Sequence, residues 1–218
     1  PPTLLERART PGSPSVDLLM VCMGNICRSP TAQAVLEKMV RDAGWAERIE
    51  VDSAGTHGWH IDSPPDERAQ EHAQRRGYDL SPQRARQLQR CDFDAFDLVL
   101  VMDEANERDA RALCPSDRRD RLHLLAHFCR THEASEVPDP YYGGPAGFEQ
   151  VLDMLERQRC EFFPSEIEPL TSGIALGIYG EGSAGDIQRA QSGILRVFCV
   201  EAVLAGSDGK GSVGNTEC

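Results

Sequence analysis

The chain of 218 residues has no excess of positive charge: 23 lysines and arginines stand against 35 aspartates and glutamates, for a formal net charge of -12. A surface of that sign repels phosphate backbones and anionic bilayers, which argues against nucleic acid and membranes as partners. Long apolar runs are missing too. The most hydrophobic late stretch, SGILRVFCVEAVLAG at 192–206, is too short and too charged to span a bilayer. The opening PPTLLERARTPGSPS has no apolar signal core and reads as a flexible lead-in over residues 1–15. The six histidines fall at no metal-ligand spacing, so they read as surface or packing residues, and neither a metal nor a cofactor is expected. Eight cysteines without an evident pairing pattern or a secretory signal point to a reducing compartment, the cytoplasm.

What the chain does have is VCMGNICRSP at residues 21–30. The run before it, VDLLMV at 16–21, is apolar apart from Asp17, as expected of a strand buried in a parallel sheet. After it, Ser29 and Pro30 read as the N-cap and first residue of a helix whose apolar positions are Ala32, Val35, Leu36 and Met39. The loop between them must turn backbone N–H groups inward at a helix N-terminus, which makes an anion cradle. A free thiol titrates near about 8.5, but one surrounded by inward amides and an arginine is expected to be a thiolate at neutral pH. Cys22 is then a nucleophile. Arg28 offers two parallel donors to a phosphate dianion where lysine offers a point charge. The Ser29 hydroxyl can donate to the sulfur when the thiolate leaves. Gly24 is expected to supply backbone dihedrals closed to other residues. Asn25 is expected to lock the loop through side-chain bonds to its backbone.

Such a cradle needs a proton donor for the leaving group. Asp139, in PDPYYGG at 138–144, is the candidate. Ligands of open parallel sheets sit beyond the carboxyl ends of the strands. Cys22 follows strand 16–21 and Asp139 lies in the loop after strand 121–125, which places both on one rim. Taken alone, Asp139 before Pro140 reads as an Asx turn, and Asp103 reads as the N-cap of a helix and nothing more.

The remaining pattern alternates strand and helix: helix 30–43, strand 49–53, helix 66–76, a short helix from Ser81-Pro82, strand 97–102, helix 104–112, strand 121–125 and helix 145–159. This is an α/β class, a four-stranded parallel sheet with helices on both faces and right-handed crossovers. One domain is expected over 16–160. Residues 161–218 hold ten of the nineteen glycines and a net charge of -5, and are expected to form a poorly ordered tail. GSDGKGS at 206–212 lacks the first glycine of a nucleotide-binding loop at the right distance from Gly-Lys, and is set aside.

From about Val16 to about Gln158 the sequence resembles the low-molecular-weight protein tyrosine phosphatases, in CMGNICRSP, VDSAGTHGWH (51–60), RARQL (84–88), LVMDEAN and DPYYGGPAGFEQVLDML (139–155). The resemblance implies a doubly wound, Rossmann-like phosphatase fold. It implies Cys22 as nucleophile through a phosphocysteine intermediate, Arg28 as phosphate clamp, and Asp139 as general acid and then base. Met23, Gly24, Asn25, Ile26, Cys27 and Ser29 bind substrate on this reading, with Trp59, Tyr141 and Tyr142 walling a phenyl cleft and Ser53 supporting Asn25. One departure is visible: many members carry a histidine where Gln83 stands, so a slightly less rigid loop is expected. Ile26 favours phosphotyrosine, where the related protein-arginine phosphatases place threonine. A reversible Cys22–Cys27 disulfide is one reading of the second loop cysteine, an inert thiol the other. The expected substrate is a phosphotyrosine protein or small aryl phosphate. Two other functions share these residues. Arsenate reduction needs a resolving cysteine pair, and Cys91, Cys114 and Cys129 are scattered; a phosphotyrosine-binding module would most simply have lost Cys22 or Asp139. Oligomeric state and physiological substrate are left open.

Overall fold

A computed structural model describes residues 4, 7, 10, 12–42, 44–128 and 135–156. Four parallel strands form one sheet: β1 (Val16–Cys22), β2 (Ile49–Gly55), β3 (Leu98–Val101) and β4 (Leu122–Leu124), in the order β2-β1-β3-β4. The expected class is the one observed. Around the sheet lie α1 (Arg28–Asp42), α2 (Glu67–Arg75), the one-turn α3 (Asp92–Ala95), α4 (Glu104–Leu113) and α5 (Pro145–Glu156).

β1 is central, and its alternate residues feed two cores, which is why it reads as continuously apolar. Val16, Leu18, Met20 and Cys22 pack with Val35, Leu36 and Met39 of α1 and with Phe148, Val151 and Leu152 of α5. Leu19 and Val21 pack on the other side with Phe93, Val99, Val101 and Ala110. Both cores end at the carboxyl edge of the sheet, where Cys22 is the last residue of β1. Hydrogen bonds tie the loops of that edge together: Thr56 N–H donates to Cys22 O at 2.9 Å and Val137 N–H to Met102 O at 2.8 Å. The second bond brings the chain that leads to Asp139 back beside β3.

Two local expectations are corrected. No helix starts at Ser81-Pro82; the residues make a turn, and the chain runs on extended to Gln87, which bridges Gly55 at the end of β2. Pairing with a strand edge overrides the Ser-Pro helix signal. Secondly, α1 begins at Arg28, so Ser29 lies inside its first turn rather than at the cap. The lead-in is fastened where it is described: Arg7 pairs with Asp97, and Arg48 donates to the carbonyls of Arg7, Thr10 and Ser13. The expectations for residues 161–218 lie outside the described residues. No helix of the described residues is long and apolar enough to cross a membrane.

Candidate active site

The loop between β1 and α1 is built around the Cys22 sulfur. Asn25 N–H donates to Sγ at 3.3 Å, and Ser29 Oγ lies 3.1 Å from it. Asn25 has φ 54°, a left-handed conformation that asparagine tolerates better than most residues. This corrects the expectation for Gly24, which is not in the left-handed region. The spatial constraint at Gly24 is a tight one: a Cβ there would stand 3.1 Å from Cδ2 of His60, and the ring would have to give way by a few tenths of an ångström. Gly55 is tighter, since a Cβ at the end of β2 would meet Met23 O at 2.8 Å.

The Asn25 side chain bolts this loop down. Its Nδ2 donates to Ser29 Oγ and to Ser53 Oγ, each at 2.9 Å, and its Oδ1 accepts from Arg86 N–H at 2.9 Å. Ser53 in turn donates to Gln33 Oε1 at 2.7 Å, so the bonds along the path from Arg86 through Asn25 and Ser53 to Gln33 each have one direction. Ser29 Oγ accepts from Asn25, which leaves its own hydrogen for the sulfur at 3.1 Å or for Ala54 O at 3.3 Å. Gln33 and Arg86 were not expected here; each acts from a distant segment and leaves no local mark in the sequence. Gln83 is bonded to the helix and not to Asn25. Its Nε2 donates to Pro30 O at 3.1 Å, across the first turn of α1.

Arg28 is buried to 2% exposure. Nη1 donates to Asp103 Oδ2 and to Val137 O, the latter at 3.2 Å, and Nη2 donates to Asp139 Oδ2 at 3.0 Å. Burial works against its charge, but Cys22, the Asp103 hydrogen bond and Asp139 more than offset that, and the guanidinium stays protonated above its ordinary range. Asp103 does cap α4, accepting from Asn106 N–H at 2.7 Å, yet it is not confined to that role. One carboxylate oxygen caps the helix while the other anchors Arg28, a pairing across 75 residues that capping rules cannot reveal. Asp139 likewise has two contacts, the ion pair with Arg28 and an Asx-type bond from Tyr141 N–H to Oδ1 at 3.1 Å.

Cys22, Met23, Gly24, Ile26, Cys27, Arg28, Trp59, Asp139, Tyr141 and Tyr142 line one cleft of about 180 Å³. His60 also lines it and was missed, because nothing in the sequence marks a lone histidine beside Trp59 as a wall residue. Asn25 and Ser29, also expected to bind substrate, have buried side chains and do not line the cleft. Trp59 lies against His57 with the rings tilted by 32° and their centroids 4.3 Å apart, and Tyr141 meets Tyr142 edge to face at 5.0 Å. Cys27 is buried with its thiol unpaired by a disulfide. Burial, followed by the negative charges of Asp66, Cys22 and Asp139, pushes it far above the ordinary thiol range, so it stays protonated. Neither Cys91 nor Cys114 lines the cleft, and Cys129 lies outside the described residues.

Comparison with known proteins agrees with this geometry. The family model described as "Low molecular weight phosphotyrosine protein phosphatase" matches residues 17–170. A putative low molecular weight protein-tyrosine-phosphatase of Synechocystis is 44% identical over 140 residues, covering 64% of this chain and 88% of its own. A low molecular weight protein-tyrosine-phosphatase of Bacillus subtilis is 35% identical over 153 residues, covering 70% and 96%. The crystal structure of a protein tyrosine phosphatase from Entamoeba histolytica, with Hepes in its active site, superposes with a TM-score of 0.64 at 39% identity, covering 66% of this chain and 92% of that one.

Proposed function

Because the chain belongs to the low molecular weight phosphotyrosine protein phosphatases, hydrolases of phosphotyrosine, we propose that it works through a phosphocysteine intermediate on Cys22, with Arg28 as clamp and Asp139 as acid and base. The observation that carries this reading is that the Cys22 sulfur, the Arg28 guanidinium and the Asp139 carboxyl face one cleft, with Arg28 bonded to Asp139. A phosphate dianion seated on the loop amides competes for Arg28 Nη2 and so frees the carboxyl for the leaving oxygen. The sulfur then attacks phosphorus: the S–P bond forms, the P–O bond to the phenol breaks, and Asp139 gives its proton to that oxygen. In the second step water attacks phosphorus, Asp139 takes the proton, and the S–P bond breaks to restore the thiolate. Asn25 N–H and Ser29 stabilise that sulfur as it leaves, while Arg28 and the loop amides neutralise charge on the transferring group.

The walls favour a flat ring. Ile26, Trp59, Tyr141 and Tyr142 present apolar surface around the anion cradle, which suits phosphotyrosine in a protein substrate and small aryl phosphates. The free, buried thiols of Cys22 and Cys27 suit a reducing compartment such as the cytoplasm. Neither described downstream cysteine reaches the cleft, which favours hydrolysis over arsenate reduction.

Turnover of phenyl phosphate by the full chain tests the reading. Cys22→Ser is expected to abolish turnover while keeping vanadate or phosphate binding, and Asp139→Asn to lower kcat by about 10²- to 10³-fold. Full activity in Cys22→Ser would refute it.

A further inference from the structure

Away from the reacting groups, one arginine links the two loops that carry them. Asp66 N–H donates to Ile26 O at 2.8 Å, hooking the start of α2 onto the cysteine loop. The Asp66 carboxylate caps α2 and takes a two-pronged bond from Arg68, Nε at 3.0 Å and Nη2 at 2.8 Å. The remaining Arg68 nitrogen, Nη1, donates to Tyr141 O at 3.1 Å. The guanidinium carbon also lies over the Tyr141 ring at 5.4 Å and the Phe148 ring of α5 at 5.0 Å. Residue 141 is thus gripped by its carbonyl and its ring, and its N–H is what holds Asp139 Oδ1.

We infer that Arg68 is a positioning residue that sets the separation between the cysteine loop and the acid loop, acting on Asp139 through Tyr141. A planar fork is required, because the three directed donations engage all three nitrogens while the plane of the group meets two rings, and an ammonium can make only part of that set. Nothing else in the described residues joins Asp66 to residue 141 by side-chain bonds. Arg68 touches neither sulfur nor leaving group in this arrangement; its effect is on where the proton donor stands, and small displacements of a donor are costly.

The inference rests on the reading of Asp139 as general acid, and the test separates the two. kcat/KM is measured on phenyl phosphate, whose leaving group needs the proton, and on 4-nitrophenyl phosphate, whose leaving group needs it far less. Asp139→Asn reports on the reading itself: it must lose much more on phenyl phosphate than on 4-nitrophenyl phosphate. Given that, Arg68→Ala is expected to lose about tenfold on phenyl phosphate and less than about threefold on 4-nitrophenyl phosphate, with Arg68→Lys showing the same asymmetry more weakly. A purely structural role would lower both substrates in parallel. Equal losses, or none, overturn the positioning role while leaving Asp139 as the acid; absence of asymmetry in Asp139→Asn overturns both. If Arg68→Ala does not fold, Arg68→Lys carries the same test.

Discussion

The two sides of the cleft are built to different rules. On the cysteine side Asn25 and Arg28 are each 2% exposed and their polar atoms are committed to named partners from β2, α4 and the segment before Gln87. On the aromatic side Trp59 is 67% exposed and Tyr142 95%; Trp59 leans on His57 and Tyr142 on Tyr141, the one of these rings that Arg68 holds. The difference separates two tasks. Stabilising a transferring phosphoryl group requires donors already aimed, so that nothing reorganises during the reaction. Holding a ring on a variable polypeptide requires apolar area that can adjust, so little is lost if it stays loose.

Substitutions can break or sharpen that contrast. The largest effect is expected for Arg28→Lys: a point charge cannot reach Asp103, Val137 and Asp139 together or clamp two phosphate oxygens, and kcat should fall by about 10³-fold with Tm changed by a few degrees, read by steady-state kinetics and thermal melting. Next comes Asn25→Ala, which strands the Arg86 N–H and removes the donor shared by Ser29 and Ser53 at a left-handed backbone position. A stability loss of about 2–4 kcal/mol in urea unfolding, with a matching drop in kcat, is expected. The smallest is Tyr142→Ala, where KM for a phosphotyrosine peptide should rise about two- to fivefold with kcat and stability unchanged. If Tyr142→Ala proved as damaging as Asn25→Ala, the division into a fixed and an adjustable side would fail.

Much of the rigid side was legible because its signals are local. An apolar strand, five loop residues and a helix start imply an anion cradle from spacing alone, and the structure brings Cys22 and Arg28 onto one cleft as that spacing implies. What was misread depends on distance in sequence. Ser29 looks like a helix cap, yet its hydroxyl is claimed by Cys22 and Asn25 once the helix starts two residues earlier, at Arg28. Ser81-Pro82 looks like a helix start, yet the chain beyond it is drawn out to meet Gly55 and to present Arg86 N–H to Asn25. Asp103 looks like a cap and is one, but its second oxygen belongs to Arg28. In each case the local preference was real and a tertiary partner either replaced it or added to it.

The close approach of Gly55 to Met23 O has one more implication. Two stretches of main chain meet there with no room for even a methyl group, so any side chain at residue 55 would push the cysteine loop away from the end of β2 and loosen the seat that the Asn25 bonds hold in place.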